Sequence, residues 1–566
     1  MAVPHQADST TARYFTTAID YVNALPHLGH AYEKIMTDIM VRYHAMKGHP
    51  VYFLTGTDEH GTKVQKSAAE KNLSPQAYTD QLVSGFKESW QYLNIDYTRF
   101  IRTTESAHYT VVTQLWQTMA AKGDIYKKRY QGLYCTGCEK FLTERDLSPE
   151  ARQCTIHFIS PEPVEEENYF FALSKYKTAI RDYIQSRDDI ILPAYRAADV
   201  LKMLDELEDI SVSRPKTTVS WGIPVPDDTE QVIYVWIDAL SNYLTGIGYH
   251  SNPEQFNQFW PSVVHVIGKD ILRFHAIYWP AMLLSAGIAL PRQIVAHGFI
   301  NINDTKISKS IGNVVSPFDL QARFNLPSAD AIRYYLTTAI VSFGQDGGFT
   351  EDEFKTKVNA DLANNLGNLL NRTLTMTQKY FNGLVPTLPE NFPPENLQPE
   401  NFQQNSVASN GSDCLHAETH ENVARLYSQY EFSKAAAECL KLVDWANKAI
   451  NDQMPWALYK NNQHDDLSVL MYQVLETLRQ VAILLFPVMP NVTAAIYSQL
   501  GYPDNNSQAN PSTSCFKPNW QDLKTPIPSG QIISLGPPVF PRLDSELADK
   551  SKKTKQKTKK NETVSQ

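Results

Sequence analysis

Along the first half of the chain, short apolar runs alternate with longer stretches in which apolar residues recur every third or fourth position. Residues 13–19 (RYFTTAI) predict a buried strand. Residues 31–46 predict a helix, with Ile35, Ile39 and Tyr43 at i+4 spacing and Gly48 placed to cap its end. Residues 51–54 (VYFL) predict a second strand. Strand, helix and strand in this order predict an α/β fold with a doubly wound parallel sheet of Rossmann type. Near Tyr126 the pattern breaks into a loop-rich, cysteine-bearing stretch. Alternation resumes at residues 232–236, 263–267 and 294–297, which predicts an insertion of roughly 110 residues dividing one nucleotide-binding fold. From Phe354 the pattern turns helical. Phe354, Val358, Leu362 and Leu366 step by four, Leu369 and Leu370 continue the stripe, and further helices are predicted over residues 423–500. Residues 385–413 repeat the triplet PEN in a Pro/Asn/Gln-rich run and are predicted to be a low-complexity loop. Short Pro-rich segments and a basic tail follow Pro503, with no further domain predicted.

Composition adds limits. The chain has 566 residues, 42% of them hydrophobic, enough for several cores and incompatible with wholesale disorder. No run of 18 or more apolar residues occurs, so no membrane span is expected. Residues 1–11 are polar and lack an apolar core, so no secretory signal is expected. Six cysteines are too few for a disulfide scaffold, and the clustering of three of them reads as metal binding in a reducing compartment, with a cytoplasmic location expected. The net charge of −9 argues weakly against nucleic acid as a partner, but seven lysines between Lys550 and Lys560 leave the rest of the chain near −16. That tail reads either as a solvated, disordered solubility segment or as a loose polyanion-binding arm.

Three strings carry candidate chemistry. Pro26-His27-Leu28-Gly29-His30 follows the first strand and opens the first long helix, the place where a doubly wound sheet binds phosphate. Gly29 has no side chain, so a base or ribose can lie against the backbone. His27 and His30 face one way around the first turn and can donate to a phosphate as charge develops on it. Lys306-Ile307-Ser308-Lys309-Ser310, followed by Gly312, can close over a triphosphate and neutralise a pyrophosphate leaving group. Alone, the first string reads more often as structural and the second as solvated surface; the two in order at opposite ends of one nucleotide fold do not. Cys135-Thr136-Gly137-Cys138 and, after fifteen residues, Cys154-Thr155-Ile156-His157 have ligand spacing for one tetrahedral Zn²⁺. Four protein ligands make that site closed and structural; the alternative is a set of reduced, buried thiols.

The first two strings resemble the HIGH and KMSKS signatures of class I aminoacyl-tRNA synthetases. Residues 18–23 (AIDYVN), 55–61 (TGTDEHG), 234–240 (YVWIDAL) and 268–271 (GKDI) narrow the resemblance to the methionyl-tRNA synthetases, over roughly residues 13–500. The resemblance implies activation of L-methionine with ATP and Mg²⁺ to an adenylate, and transfer to the 3′ end of tRNA(Met), initiator tRNA included. It implies catalytic roles for His27, His30, Lys306 and Lys309, with Gly29, Gly268 and Asp270 also at ATP. For methionine it implies Asp58 at the ammonium group and Ile19, Tyr21, Trp236, Ala239, Tyr243, Ile271 and His275 around the rest. Trp236, Ala239 and Tyr243 fall at i, i+3 and i+7, so one helix face presents them together, as a pocket wall or as ordinary core. Sulfur packs well against such rings. A pocket of this kind distinguishes one methylene by only about 1–3 kcal/mol, so homocysteine is expected to be the troublesome near-cognate.

Asn368 and Arg372 share a helix face, and the resemblance sets them and Trp456 at the anticodon; on pattern alone Trp456 reads as a core anchor. The Cys3His set resembles the zinc knuckle of some members. The expected organisation is a first Rossmann half at 1–124, a connective insertion with one structural Zn²⁺ at 125–230, a second Rossmann half at 231–325 and a stem-contact linker at 326–352. A helical anticodon-binding domain at 353–500 and a C-terminal extension with a disordered basic tail at 501–566 complete it. A monomer is expected, with no membrane partner. Leu28 and Ile307 replace the usual Ile and Met of the two signatures, and Ala18 and Asp20 stand where many members have proline and an aromatic. A branched-chain class I synthetase would need a larger editing insertion. A non-catalytic paralogue would be expected to lose His27, His30 or Lys309, and a small nucleotidylyltransferase leaves the helical half unexplained.

Overall fold

The structure, a computed structural model, describes residues 12–135, 140–142, 144–156, 158–302, 305–306, 314–339, 342–389, 415–503 and 516–543. Two compact units make up the chain, one of Met1–Leu25, Tyr52–Phe86 and Tyr97–Ala296, the other of Pro26–Val51, Lys87–Asp96 and His297–Gln566. Cys138, His157, Lys309, the side chain of Lys306, residues 390–413 of the PEN-repeat stretch and the lysine tail lie outside the described residues.

The first unit is built on a seven-stranded sheet. Its order is Asp20–Tyr21, Val51–Asp58, Arg13–Thr17, Val263–Gly268, Gln293–His297, Ile191–Leu192, with Arg99–Arg102 pairing with Val51–Asp58. Arg13–Thr17 pairs in parallel with Val263–Gly268, and Asp20–Tyr21 in parallel with Val51–Asp58. Covered on both faces, these strands are buried along nearly their whole length, which is why residues 13–19 read as a continuous run rather than an alternation. The chain leaves Arg13–Thr17 toward one side for Val51–Asp58, and the strand on its other side is Val263–Gly268. That reversal of order is a switch point, and crevices at such points open at the carboxyl ends of the strands.

Two expectations need correction here. Residues 125–230 do not form one insertion. Lys140–Leu142, Ile125–Cys135, Glu162–Phe171 and Ile210–Ser211 make a separate antiparallel sheet, but the chain between the last two strands returns to the main one. Ile191–Leu192 is its edge strand, and Ile180, Ile184, Val200 and Leu204 lie in the same core as Tyr14. The cause is an apolar stripe on the Lys177–Gln185 helix, Ile180, Tyr183 and Ile184, which has to be covered. Residues 232–236 are not a strand of the main sheet either. Asp228–Ile233 is the centre of a small antiparallel sheet with Ser213–Pro215 and Pro224–Val225, and a helix, Val235–Ile247, begins two residues later. The helical spacing of Trp236, Ala239 and Tyr243 outweighs the local β-branched run.

The second unit holds the Leu28–Met46 helix and the C-terminal helices. Glu351–Lys357 and Asn368–Phe381 are joined by a π-helical segment, Val358–Gly367. Four-residue steps overshoot a turn of about 3.6 residues, so a stripe of them drifts around an α-helix. The wider i→i+5 winding reduces that drift, and Phe354, Val358, Leu362 and Leu366 are all buried. Residues 326–352, expected as a linker, contain the helix Asp330–Thr338 and a buried keystone. Arg333 is fully buried and donates to Asp38 Oδ2 at 2.6 Å, to the Pro487 and Val488 carbonyls at 2.8 Å each, and to the Leu93 carbonyl at 3.0 Å. The extension beyond residue 500 contributes to this unit over its described residues. Over 516–543 it straps the helices, with the Tyr472 hydroxyl on the Ile527 carbonyl at 2.7 Å and Ile527, Ile533 and Leu543 buried. His464–Leu485 is long and apolar enough to cross a membrane, but 89% of its most apolar window is buried inside the protein, as for a core helix.

Candidate active site

In the first unit the expected methionine residues gather at the carboxyl edge of the sheet. Parallel register sets Tyr21 directly beside Asp58, and the Val22 N–H donates to the Asp58 carbonyl at 3.1 Å. Asp58 is the last residue of its strand and 8% exposed. Ile19 precedes this pair, half-buried against the core. The Val263–Gly268 strand ends on Gly268, so Asp270 and Ile271 leave from the same edge, Asp270 exposed.

The Val235–Ile247 helix supplies the facing wall. Trp236 lies flat on Phe274, ring centroids 3.5 Å apart and planes 9° from parallel, and Phe274 opens a π-helical turn, Phe274–Tyr278. Ala239 and Tyr243 are buried on the same helix. The Tyr243 hydroxyl pairs with His275 Nε2 at 2.7 Å, and His275 Nδ1 pairs with the Ile271 carbonyl at 3.0 Å. Beneath them His265 takes the Trp279 indole N–H on Nε2 at 3.1 Å and meets the Thr16 hydroxyl with Nδ1 at 2.8 Å. Burial, with His275 beside it, pushes this imidazole well below its ordinary range, so it stays neutral. Strand ends and helix are tied together: the Tyr21 hydroxyl donates to the His60 carbonyl at 3.0 Å, and the His60 ring meets Asp238 of the helix at 2.6 Å. All eight expected methionine residues thus belong to one unit, on elements that touch or are linked by these bonds. An acid beside an aromatic, apolar slot can hold an ammonium group and a thioether.

In the second unit the two histidines cap the helix they begin. His27 Nδ1 accepts the Gly29 N–H, and His30 Nδ1 accepts the His27 N–H, both at 3.1 Å, with the rings stacked 3.9 Å apart. With Nδ1 an acceptor on both rings, the proton of each neutral imidazole sits on Nε2, the edge that can donate to a phosphate. The Leu28 N–H donates to the Val315 carbonyl at 3.0 Å, so the helix start is joined to the chain just past the lysine string. The backbone of Lys306 pairs with Asn301. No motif points to Glu33, whose carboxylate meets the Lys34 ammonium at 2.9 Å and His297 Nε2 at 3.2 Å. Burial opposes its ionisation, but Lys34 and His297 hold it below the usual carboxylate range.

Of the expected zinc ligands, Cys135 and Cys154 are described. Both are buried, in one small cluster with Leu142 and Leu147, so two of the four thiol and imidazole positions share a water-excluded site of the kind a structural ion needs. On the helical side, Arg372 donates to the Asn451 side chain at 3.2 Å and Asn368 is exposed. Trp456, which pattern alone reads as a core anchor, is 49% exposed beside the exposed Met454, and Tyr380 stacks on Tyr459 at 4.6 Å.

Residues 13–156 and 146–374 match the family described as tRNA synthetases class I (M), and residues 416–562 match the anticodon-binding domain of tRNA ligase. A methionine–tRNA ligase of Thermosynechococcus vestitus is 41% identical over 544 residues, 93% of this chain and 97% of the relative. Another from Nostoc sp. is 40% identical over 96% of this chain and 99% of its own length. The solved Mycobacterium tuberculosis methionyl-tRNA synthetase in complex with methionyl-adenylate is similar with a TM-score of 0.84 at 36% identity, covering 94% of this chain and all of the other. The class is thereby defined as that of the class I tRNA synthetases, with a parallel-sheet catalytic fold followed by a helical anticodon-binding domain. Within it the chain belongs to the methionine–tRNA ligase family.

Proposed function

We propose that this chain activates L-methionine with ATP and transfers the methionyl group to the 3′ end of tRNA(Met), initiator tRNA included. The observation that carries the reading is the pairing of one acid, Asp58, with a slot walled by Tyr21, Trp236, Tyr243 and His275 at the switch point of the sheet. Asp58 takes the ammonium group; Ile19, Ala239 and Ile271 complete the slot. The methionine carboxylate attacks the α-phosphate of ATP, pyrophosphate leaves, and the terminal ribose of the tRNA then takes the methionyl group from the adenylate. No covalent intermediate on the enzyme is needed, so catalysis is positioning plus electrostatic stabilisation. His27 and His30 donate to the phosphates, Gly29 leaves room for the nucleoside, Gly268 and Asp270 meet its ribose side, and Lys306 and Lys309 neutralise the leaving charge. Mg²⁺ would travel with the triphosphate and offset its charge.

Cys135, Cys138, Cys154 and His157 would hold one Zn²⁺ that fixes the knuckle and takes no part in the reaction. Asn368, Arg372 and Trp456 are proposed to read the anticodon, a task for exposed hydrogen-bonding and stacking groups. We place the activity in the cytoplasm, on a monomer without a membrane partner. The test is ATP–pyrophosphate exchange with each of the twenty amino acids, with zinc measured on the same sample. Methionine alone should support fast exchange, with one zinc per chain. Exchange driven by another amino acid overturns the reading.

A further inference from the structure

The segment that presents Asp58 is pinned from several sides by groups that have no place in the reaction above. The Glu59 carboxylate takes two bonds from Arg102, at 2.7 and 2.8 Å, and the Thr57 and Thr104 hydroxyls at 2.7 Å each. The Glu59 carbonyl accepts the Trp221 indole N–H at 2.6 Å. Next to it, His60 is 1% exposed, with Nδ1 on Asp238 Oδ2 at 2.6 Å and Nε2 on the Tyr109 hydroxyl at 3.0 Å. The other oxygen of Asp238 meets His108 Nε2 at 2.8 Å, and His108 Nδ1 meets the Thr245 hydroxyl at 2.9 Å. One carboxylate, 1% exposed, therefore clamps two buried imidazoles. An ionised carboxylate only accepts, so His60 Nδ1–H and His108 Nε2–H both donate to it. Asp238 lies between Trp236 and Ala239 in sequence, in the first turns of the helix that walls the slot. It connects that wall to the residue two positions beyond Asp58.

Burying a lone carboxylate is costly unless its acceptors are satisfied. A core that only needed filling would be served by a leucine. This arrangement instead fixes a direction and a length between two parts of one pocket, which apolar packing does more loosely. We propose that Asp238 is a positioning residue for methionine: through His60 it sets the position of Asp58 relative to the Trp236–Ala239 turn, and so the fit of the ammonium group, while His108 holds the other carboxylate oxygen in place. The inference rests on the reading of Asp58 as the ammonium partner. An ammonium contact is made equally in the ground state and the transition state, so loosening it raises KM and leaves kcat in place.

The test is methionine-dependent exchange in the full-length chain. Asp238→Ala should raise the methionine KM roughly tenfold, with kcat within about threefold and the ATP KM unmoved. Asp238→Asn should restore most of the affinity, because its carbonyl oxygen keeps His60 while His108 can turn its proton toward the Thr245 oxygen. As an inhibitor, 4-(methylsulfanyl)butanoate, which lacks the ammonium group, should bind parent and Asp238→Ala equally. An unchanged methionine KM, a joint fall of kcat and ATP affinity, or equal weakening of the analogue overturns the proposal. Asp58→Asn run alongside separates the two readings. If it leaves the methionine KM alone, the assignment of Asp58 fails; if it raises KM while Asp238→Ala does not, only the role of Asp238 fails. Should Asp238→Ala not fold by circular dichroism, His60→Leu breaks one of the two anchors and carries the same expectations.

Discussion

Tyr243 pairs with His275 at 2.7 Å, and the far nitrogen of the same ring pairs with the Ile271 carbonyl at 3.0 Å. A carbonyl only accepts, so Nδ1 carries the proton, and the tyrosine hydroxyl donates to Nε2. In the neutral ring, the pair meets a ligand as a polarizable surface. It suits a thioether and offers no buried, unpaired donor that would reject a thiol. Discrimination against homocysteine then rests on the missing methyl, worth about 1–3 kcal/mol. Homocysteine is expected to support ATP–pyrophosphate exchange with a kcat/KM roughly 10–200-fold below that of methionine. No detectable exchange would mean that the pocket holds a discriminating group beyond those identified.

The lysine string carries the second prediction. Lys309 is assigned to the leaving pyrophosphate, a charge that develops only as the bond breaks. Lys309→Ala should therefore cut adenylate formation by about 10²–10³-fold, as for loss of one oxyanion-type donor, with the methionine KM little changed. Single-turnover adenylate formation measures it. An unaltered rate removes this lysine from the mechanism.

How much of this was legible depended on whether a residue's partner lies nearby in sequence. The Leu28–Met46 helix follows from its own i+4 stripe, and the face shared by Trp236, Ala239 and Tyr243 from spacing alone. Glu59 and His60 stand next to Asp58, yet their partners are at 102, 109 and 238, separations that no local period encodes. Arg333 looked like part of a connecting segment because its partners, Asp38, Leu93 and Val488, come from three distant stretches. The edge strand Ile191–Leu192 was missed because two residues give no pattern. Trp456 shows the reverse failure, since a tryptophan beside a helix start reads as core, and only the packing shows it exposed.

Asp330 makes stability depend on pH. Its carboxylate accepts the Val492 N–H at 2.6 Å and the Asn491 amide at 3.2 Å, but it is fully buried. Burial outweighs these bonds and the nearby Arg333 and Arg42, pushing the group from 3.8 up to about 6. A carboxyl raised on folding binds more protons in the folded state, so its contribution is present below the unfolded value and is lost as pH rises through the folded one. Asp330→Asn does not titrate. Relative to the parent, this variant should gain about 2–3 kcal/mol between pH 4 and pH 7, at about 1.36 kcal/mol for each unit of pKa. Urea unfolding of both proteins at the two pH values gives the comparison, and a constant difference between them rules out the titration.

Trp456→Ala is expected to separate the two halves of the reaction. The indole is half exposed at the start of Pro455–Lys460, just after Met454, whose backbone adopts the left-handed conformation with φ +47 and ends the preceding helix. Arg372, in the Asn368–Phe381 helix, holds the Asn451 side chain near the end of Phe432–Gln453, the helix that Met454 ends. Stacking of a base on such a ring is worth about 1–3 kcal/mol. Removing it should therefore lower kcat/KM for tRNA(Met) roughly 10–100-fold, through the KM for tRNA. The amino-acid pocket lies on other elements, so methionine-dependent exchange in Trp456→Ala should match the parent. The ring fills no core, so the unfolding midpoint should stay put as well. Charging and exchange assays on one preparation decide the point. If both fall together, the tryptophan supports the fold rather than the anticodon, and if neither changes, it contacts no RNA.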